Sequence, residues 1–544
     1  MLKRITAFGE RHPAGVCAAV ALASVLPFCA KAFHIDDPFY IWVAQHIQSH
    51  PFDYYGLSIN WYGYVLPVYE MHASPPLVPY MLAMWAAAFG WSEVSLHALY
   101  AGFAVVLAVS VFAVALRLTQ RPLFAALLAQ LSPVTLVCAS NIMLDLPMTA
   151  FFTAAIALWM RGLERNDGRW LVAAGIAAAA AGGSKYFGIA VAPLLFVYTV
   201  AVRRRVGWWI VPLLIPVLGF VVEQVCTYRL YGHSILVNAA TVAESARALE
   251  AEAWHERWLS GLAFTGGCVG FLVVFIPVAW RGRGIYWIAT LAATTVIGAL
   301  AFRGQEDPIP WFSVLQCGLM ILGGVNLAML VIDDLRYARD RGSILLGFWI
   351  VGTLLFAVAA NWSVTARSLL PIAAPAAILL MRRIDRRGAT AVNPSRLWPA
   401  FALSVALAMA VAWADFAWAG STRDAARRFG AGPGAQGTVY FQGHWGFQYY
   451  MQEAGATAFD FYNPTFHAGD YLVVPQNNAN IEKTPDRYVY GVKTSTFRTT
   501  RGVALMSMPL GAGFYSSNWG PLPYAFGAAP PDSYHVLLLG PPKY

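Results

Sequence analysis

Long apolar runs separated by short polar breaks dominate the chain up to about residue 420, and thirteen of them read as membrane spans. They fall at roughly 13–32, 97–116, 122–139, 143–160, 170–184, 187–202, 208–225, 259–280, 285–302, 313–332, 343–361, 368–381 and 398–418. A bilayer core of about 30 Å asks for roughly 20 apolar helical residues, so the pattern predicts a polytopic α-helical membrane protein. Spans 170–184 and 368–381 are short, which leaves one merger or split open. The equally apolar stretch Pro75–Phe89 would spoil the alternation of sides and is read as an interfacial helix on the outer surface. After Gly420 the pattern changes to short β-like runs at Thr438–Phe441, Tyr471–Val474, Tyr488–Val492 and His535–Leu539, with a short helix over Gln448–Ala454. Residues 1–420 are thus read as a transmembrane part with an outer loop at 33–96, and 421–544 as one soluble α/β domain.

Basic residues set the orientation, because Lys and Arg are held on the cytoplasmic side. With the N-terminus inside, the cytoplasmic segments carry 21 Lys and Arg, and the outer segments up to residue 418 carry seven. The reading is a multi-pass protein of the inner (plasma) membrane, with the tail on the periplasmic or extracellular side. Composition agrees: 58% of residues are hydrophobic, mean hydropathy is +0.54, and 12% are charged, against about 25% in soluble domains. The net charge of +9 sits mostly in loops between spans, so it implies a bilayer and no nucleic acid. The six cysteines lie in or beside apolar segments with no CxxC pair, which argues against disulfide frameworks and zinc clusters. Lys3, Arg4 and Arg11 before the first apolar run also resemble a secretory signal; an uncleaved anchor is the preferred reading.

The loop from His34 to Leu77 is the candidate active site. It contains Asp36-Asp37-Pro38, an aromatic stretch through Asn60-Trp61-Tyr62-Gly63-Tyr64, and Glu70-Met71-His72-Ala73-Ser74-Pro75-Pro76-Leu77. No Lys or Arg occurs from Ala32 to Leu116. Adjacent carboxylates just outside a span suit a general base and an orienting or metal-binding partner. They equally suit the first turn of a helix starting at Pro38, and both can hold at once. Gly443-His444-Trp445-Gly446-Phe447-Gln448-Tyr449-Tyr450 in the tail, like Asn60-Trp61-Tyr62, suits either stacking on sugar rings or packing and interface anchoring. No P-loop, dinucleotide fingerprint or HExxH is present, so no nucleotide cofactor is implied.

Asp36-Asp37-x-x-Tyr40 resembles the Asp-(Glu/Asp)-x-x-Tyr signature after the first span of GT-C glycosyltransferases, closest to the protein mannosyltransferase and lipid A aminoarabinose transferase group. Pro75-Pro76-Leu77, Phe89-Gly90-Trp91-Ser92-Glu93, Asp145-Leu146-Pro147, Ser184-Lys185 and Arg367-Ser368-Leu369-Leu370-Pro371 resemble further motifs of that group, in order. The resemblance implies transfer of a sugar from a polyprenyl-phosphate donor to a cell-envelope lipid, glycan or protein on the outer face, with inversion. It casts Asp36 as general base, Asp37 as its support, and Tyr40 and Arg367 as substrate contacts. The chain departs from the group at Ala73-Ser74, where an acidic-basic pair precedes Pro-Pro. Glu70 and His72 are then the substitute ligands for a divalent metal (Mg, Mn or Zn), and Lys185, Arg247 and Arg257 the substitute phosphate contacts.

Two other classes remain. A transporter or flippase for lipid-linked glycans needs ionisable groups near the midplane. Lys31, His97, Asp145, Lys185, Glu223, Arg367 and Asp415 fall instead at the outer ends of their spans. A receptor-like protein acting through its tail would tolerate any change at Asp36.

Overall fold

The computed structural model describes residues 12–71, 74–250, 254–302, 310–387, 397–430, 437–500 and 502–543. Among them, seven helices are long and apolar enough to cross a membrane: Glu93–Leu118, Asp145–Arg165, Tyr186–Arg203, Trp208–Tyr231, Trp311–Tyr337, Arg341–Ala360 and Leu397–Gly430. Shorter apolar helices, including Pro13–Phe28, Leu77–Phe89 and Gly284–Leu300, accompany them. The protein is a multi-pass, mostly helical membrane protein. The count of thirteen is not reproduced, because several of the apolar runs are broken or short.

The physical causes of those breaks can be named. The run 122–139 becomes Pro122–Gln130 and Pro133–Ala139, bent by 59°. Pro133 has no N–H to continue the first helix, and the hydroxyls of Ser132 and Thr135 donate to the Ala129 carbonyl at 2.9 and 2.8 Å. A backbone break inside the membrane is tolerated when side chains take the freed carbonyl in this way. The run 259–280 is a helix only over Trp254–Cys268 and then breaks into two single turns, Phe271–Val274 and Ile276–Ala279. Ala373–Asp385 is preceded by a 3-10 turn over Arg367–Ile372, which contains Pro371. Leu77–Phe89 has 13 residues, about 20 Å of helix, too short to cross a core of about 30 Å.

Close helix contact depends on glycine at one crossing. A Cβ on Gly266 would run into the Met320 carbonyl, and one on Gly324 into the Leu262 carbonyl. Small residues let backbones approach where no water drives association.

The tail carries a five-stranded mixed sheet in the order Thr457–Ala458, Val439–Phe441, Tyr471–Pro475, Asp532–Leu539, Val489–Phe497. The first three strands run parallel, and Asp532–Leu539 pairs antiparallel with both of its neighbours. All four runs and the helix anticipated from the sequence are present, the helix at Trp445–Glu453. The last long helix continues to Gly430, ten residues past the composition change at Gly420. The tail also folds back onto the helices. Ala366 N donates to the Phe514 carbonyl at 2.9 Å, the Tyr524 hydroxyl to the Gly267 carbonyl at 3.0 Å, and Gln316 exchanges two hydrogen bonds with the Phe526 backbone.

Gly266→Leu is expected to cost about 1–3 kcal/mol by overpacking the crossing, read as a lower melting temperature in detergent. Gly352→Leu, where an added Cβ meets nothing within 4 Å, should leave melting unchanged.

Candidate functional site

The site forms where the loop after the first helix meets the corner at 140–145 and the turn at Arg367. Ile35, buried and β-branched, sits at φ 47°, a left-handed conformation that such residues rarely adopt. The following aspartate holds the turn. Asp37 N donates to the His34 carbonyl at 3.0 Å, and Asp37 Oδ2 accepts from His34 N at 2.8 Å. Its other oxygen accepts from Ile142 N at 2.7 Å. Asp37 is fully buried, and burial pushes its carboxyl up to about 7 against the pull of Lys31 and the two N–H donors. With both oxygens engaged by backbone, Asp37 is a brace that begins the helix Asp37–Ser49 and ties it to the 140–145 corner.

Asp36 is placed differently. It is partly exposed, and Oδ2 accepts from Arg367 Nη1 at 2.8 Å. No other side-chain hydrogen bond to Asp36 is found among the described residues. Arg367 also lies 2.8 Å from Met143 Sδ, its guanidinium sits 5.8 Å from the centre of the Tyr515 ring, and its buried Nε has no partner among the described residues. Asp145 opens the helix Asp145–Arg165 and accepts from Lys185 Nζ at 2.6 Å. Lys185 is 22% exposed, in the extended residue between the helix Gly168–Ser184 and the turn Tyr186–Ala190. Asp36, Asp145 and Tyr40 all act electrostatically on Arg367. The result is two carboxylate–cation pairs side by side, with one carboxylate oxygen and two cations within reach of a ligand. Such an arrangement can take a proton at Asp36 while holding an anion on Arg367 and Lys185.

Other residues singled out in the sequence lie elsewhere. Arg247 donates to the carbonyls of Ala359 and Ala360 at 2.9 and 2.7 Å. Arg257, buried, donates to those of Val358, Asn361 and Trp362. Both therefore satisfy carbonyls at the end of the helix Arg341–Ala360, in the places where the sequence suggests phosphate contacts. Glu70 is exposed, and His72 lies outside the described residues. His444 and Trp445 are buried, with the His444 ring 4.6 Å from Trp61. A Cβ on Gly446 would run into the Phe33 carbonyl, so Gly443–Phe447 packs the tail against the loop.

Among the described residues, Asp36, Asp37 and Asp145 do not together fit a divalent metal. Such an ion wants several uncompensated oxygens, but Asp36 has Arg367, Asp145 has Lys185, and Asp37 is engaged by backbone. Among the described residues no group of three or more His, Cys, Asp or Glu is placed to hold a metal.

The residues that hold the site together were not recognised as such from the sequence. Lys31 Nζ pairs with Asp415, both side chains fully buried, and donates to Asn141 Oδ1 at 2.9 Å. Asp415 also accepts from the Tyr515 hydroxyl at 2.8 Å and from Asn141 Nδ2 at 3.2 Å. Glu93 receives Arg423 through both oxygens, at 2.9 and 2.7 Å, and the Tyr450 hydroxyl. Tyr450 in turn accepts from Phe33 N at 2.8 Å. The available signal was two opposite charges, Lys31 and Asp415, at the ends of spans assigned to the same side.

Residues 73–228 match the family model described as dolichyl-phosphate-mannose-protein mannosyltransferase. No curated protein matches the chain. Among solved structures it is similar to an Archaeoglobus fulgidus oligosaccharyltransferase tethered to an acceptor peptide, at 15% identity and TM-score 0.47, over 83% of this chain and 64% of that one. It is similar to AglB from Archaeoglobus fulgidus in complex with an inhibitory peptide and a dolichol-phosphate, at 13% identity and TM-score 0.46, over 86% and 70%. It is also similar to ArnT from Cupriavidus metallidurans bound to undecaprenyl phosphate, at 16% identity and TM-score 0.40, over 85% and 92%. The matched stretch 73–228 contains Pro75-Pro76-Leu77, Asp145 and Lys185. The resemblance to GT-C glycosyltransferases of the mannosyltransferase kind thus rests on a family match as well as on motifs.

Lys31→Met should leave Asp415 buried without its cation and cost about 3–5 kcal/mol, read as loss of folded protein in detergent. Lys31→Met combined with Asp415→Leu should recover part of that loss.

Proposed function

We propose that the protein is a membrane glycosyltransferase that moves a sugar from a polyprenyl-phosphate-linked donor to a hydroxyl of a cell-envelope acceptor. The observation that carries this reading is the partly exposed Asp36, with one oxygen unengaged among the described residues, beside the two cations Arg367 and Lys185. The match over 73–228 supports the donor class.

In this reaction Asp36 takes the proton of the acceptor hydroxyl as that oxygen attacks the anomeric carbon from the face opposite the phosphate. The bond from the anomeric carbon to the phosphate oxygen breaks, and the configuration inverts. Polyprenyl phosphate leaves with its charge held by Lys185 and by the partly exposed guanidinium of Arg367. Arg367 also holds the Asp36 carboxylate in place through their 2.8 Å ion pair. Asp37 and Tyr40 set the position of Asp36, from its own helix start and one turn beyond. No step passes through a metal. The site faces the periplasmic or extracellular side of the inner membrane in this reading, as the distribution of Lys and Arg requires. Residues 421–544 then form the outer domain that covers it.

Asp36→Asn keeps size and removes the base. It is expected to insert normally and to lower transfer by about 10²–10⁴-fold, read from the lipid-linked glycans of cells lacking the protein and complemented with either form. Full rescue by Asp36→Asn would overturn the mechanism. Lys185→Gln should instead weaken binding of undecaprenyl phosphate, measured by native mass spectrometry on the purified chain. Unchanged binding would remove Lys185 from the phosphate site.

A further inference from the structure

The hairpin that follows the catalytic loop presents a row of aromatic rings for which the mechanism gives no task. Ser58–Asn60 pairs antiparallel with Val65–Pro67, and the turn between them carries Trp61, Tyr62 and Tyr64. Trp61 is buried and fastens the hairpin to the helix of the base, its ring 5.4 Å from Phe39 and 6.2 Å from Trp42. Tyr62, the next residue, is 37% exposed. From there the rings continue outward. Tyr62 and Tyr64 have centroids 6.5 Å apart, and Tyr64 lies 5.1 Å from Tyr462 of the tail. Tyr462 is 74% exposed.

The row is built by specific contacts. Phe461 N donates to the Gly63 carbonyl at 2.8 Å, Asn60 Nδ2 to the Phe459 carbonyl at 3.1 Å, and Gln448 Nε2 to the Asn60 carbonyl at 2.7 Å. Gly63 is at φ 86°, and a Cβ there would enter the Phe461 ring. Asp460 accepts from the backbone N–H groups of Tyr462 and Asn463 at 2.9 and 3.0 Å, which fixes the loop that presents Tyr462. Two parts of the chain almost 400 residues apart thus share one surface beside the helix Asp37–Ser49.

Its chemistry points to one kind of ligand. The C–H face of a sugar ring is apolar and slightly positive, and it stacks on the negative face of an aromatic ring. Tyrosine hydroxyls, with Asn463 beside Tyr462, answer the sugar hydroxyls at the rim. The hairpin segment holds no Lys or Arg, which disfavours phosphorylated or acidic ligands. A peptide acceptor would call for an open strand edge or an apolar groove, and the Gly63 carbonyl at the hairpin tip is already taken by Phe461. We propose that Tyr62, Tyr64 and Tyr462 form a platform beside the helix that follows Asp36, and that it binds an uncharged saccharide portion of the acceptor. This rests on the transferase reading of the same site and adds the acceptor class to it.

The test uses the full chain in phosphatidylcholine–phosphatidylglycerol nanodiscs on arrays of defined neutral oligosaccharides and of peptides, with undecaprenyl-phosphate binding measured in parallel by native mass spectrometry. At least one neutral oligosaccharide class should bind. Tyr462→Ala and Tyr62→Ala should each weaken that binding about fivefold, Tyr462→Phe should retain it, and undecaprenyl-phosphate binding should not change. A blank saccharide array, binding that ignores both alanine variants, or binding confined to peptides overturns the platform, and the transferase reading survives if undecaprenyl phosphate still binds. Saccharide binding that depends on the tyrosines, with no undecaprenyl-phosphate binding, supports the platform and removes its place in a transferase.

Discussion

The buried pair between Lys31 and Asp415 is the contact on which the rest of the site depends. Taking two charges out of water is expensive, several kcal/mol for each even after relaxation, and only good geometry with further hydrogen bonds offsets it. Those bonds are present: Asn141 bridges the pair, and the Tyr515 hydroxyl adds a donor to Asp415. Each partner comes from a different part of the chain, namely the end of the first helix, the 140–145 corner, the last long helix and the tail. The arrangement that satisfies the two charges therefore also sets where the Asp36 loop sits. A buried ion pair of this kind specifies one packing more than it adds to stability.

Around that anchor the site is assembled from matched charges. Asp36 faces Arg367 and Asp145 faces Lys185, so each of these carboxylates already has a cation. Cations fixed in advance need no reorganisation when an anion approaches. Tyr515 belongs to both systems, with its hydroxyl on Asp415 and its ring under Arg367. The tail is thereby part of the site and more than a cover over it.

Backbone irregularity does comparable work. The break at Ser132–Pro133 turns what hydropathy reads as one span into two helices at 59°, and so delivers Asn141, Ile142 and Met143 to the Asp36 loop. The strained Ile35 and the brace by Asp37 make the sharp turn from the other side. Both devices place carbonyls and amides where side chains can satisfy them, which the absence of water in a bilayer demands.

Hydropathy, charge bias and strand periodicity are local properties, and they determined what depends on local properties. These are a multi-pass helical protein, the short helix at Leu77–Phe89, the strands and helix of the tail, and a carboxylate-bearing loop without basic residues after the first apolar helix. Pairing is not local. Arg367 and Asp36 are 331 residues apart, and nothing in the sequence distinguishes Arg367 on a carboxylate from Arg247 and Arg257 on backbone carbonyls. Asp36 and Asp37 are adjacent and of one kind, yet only tertiary contacts leave one partly exposed to a ligand and lock the other between two amides. The tertiary structure decided these roles because a charge in a low-dielectric interior takes its role from its nearest partners, and folding chooses those partners.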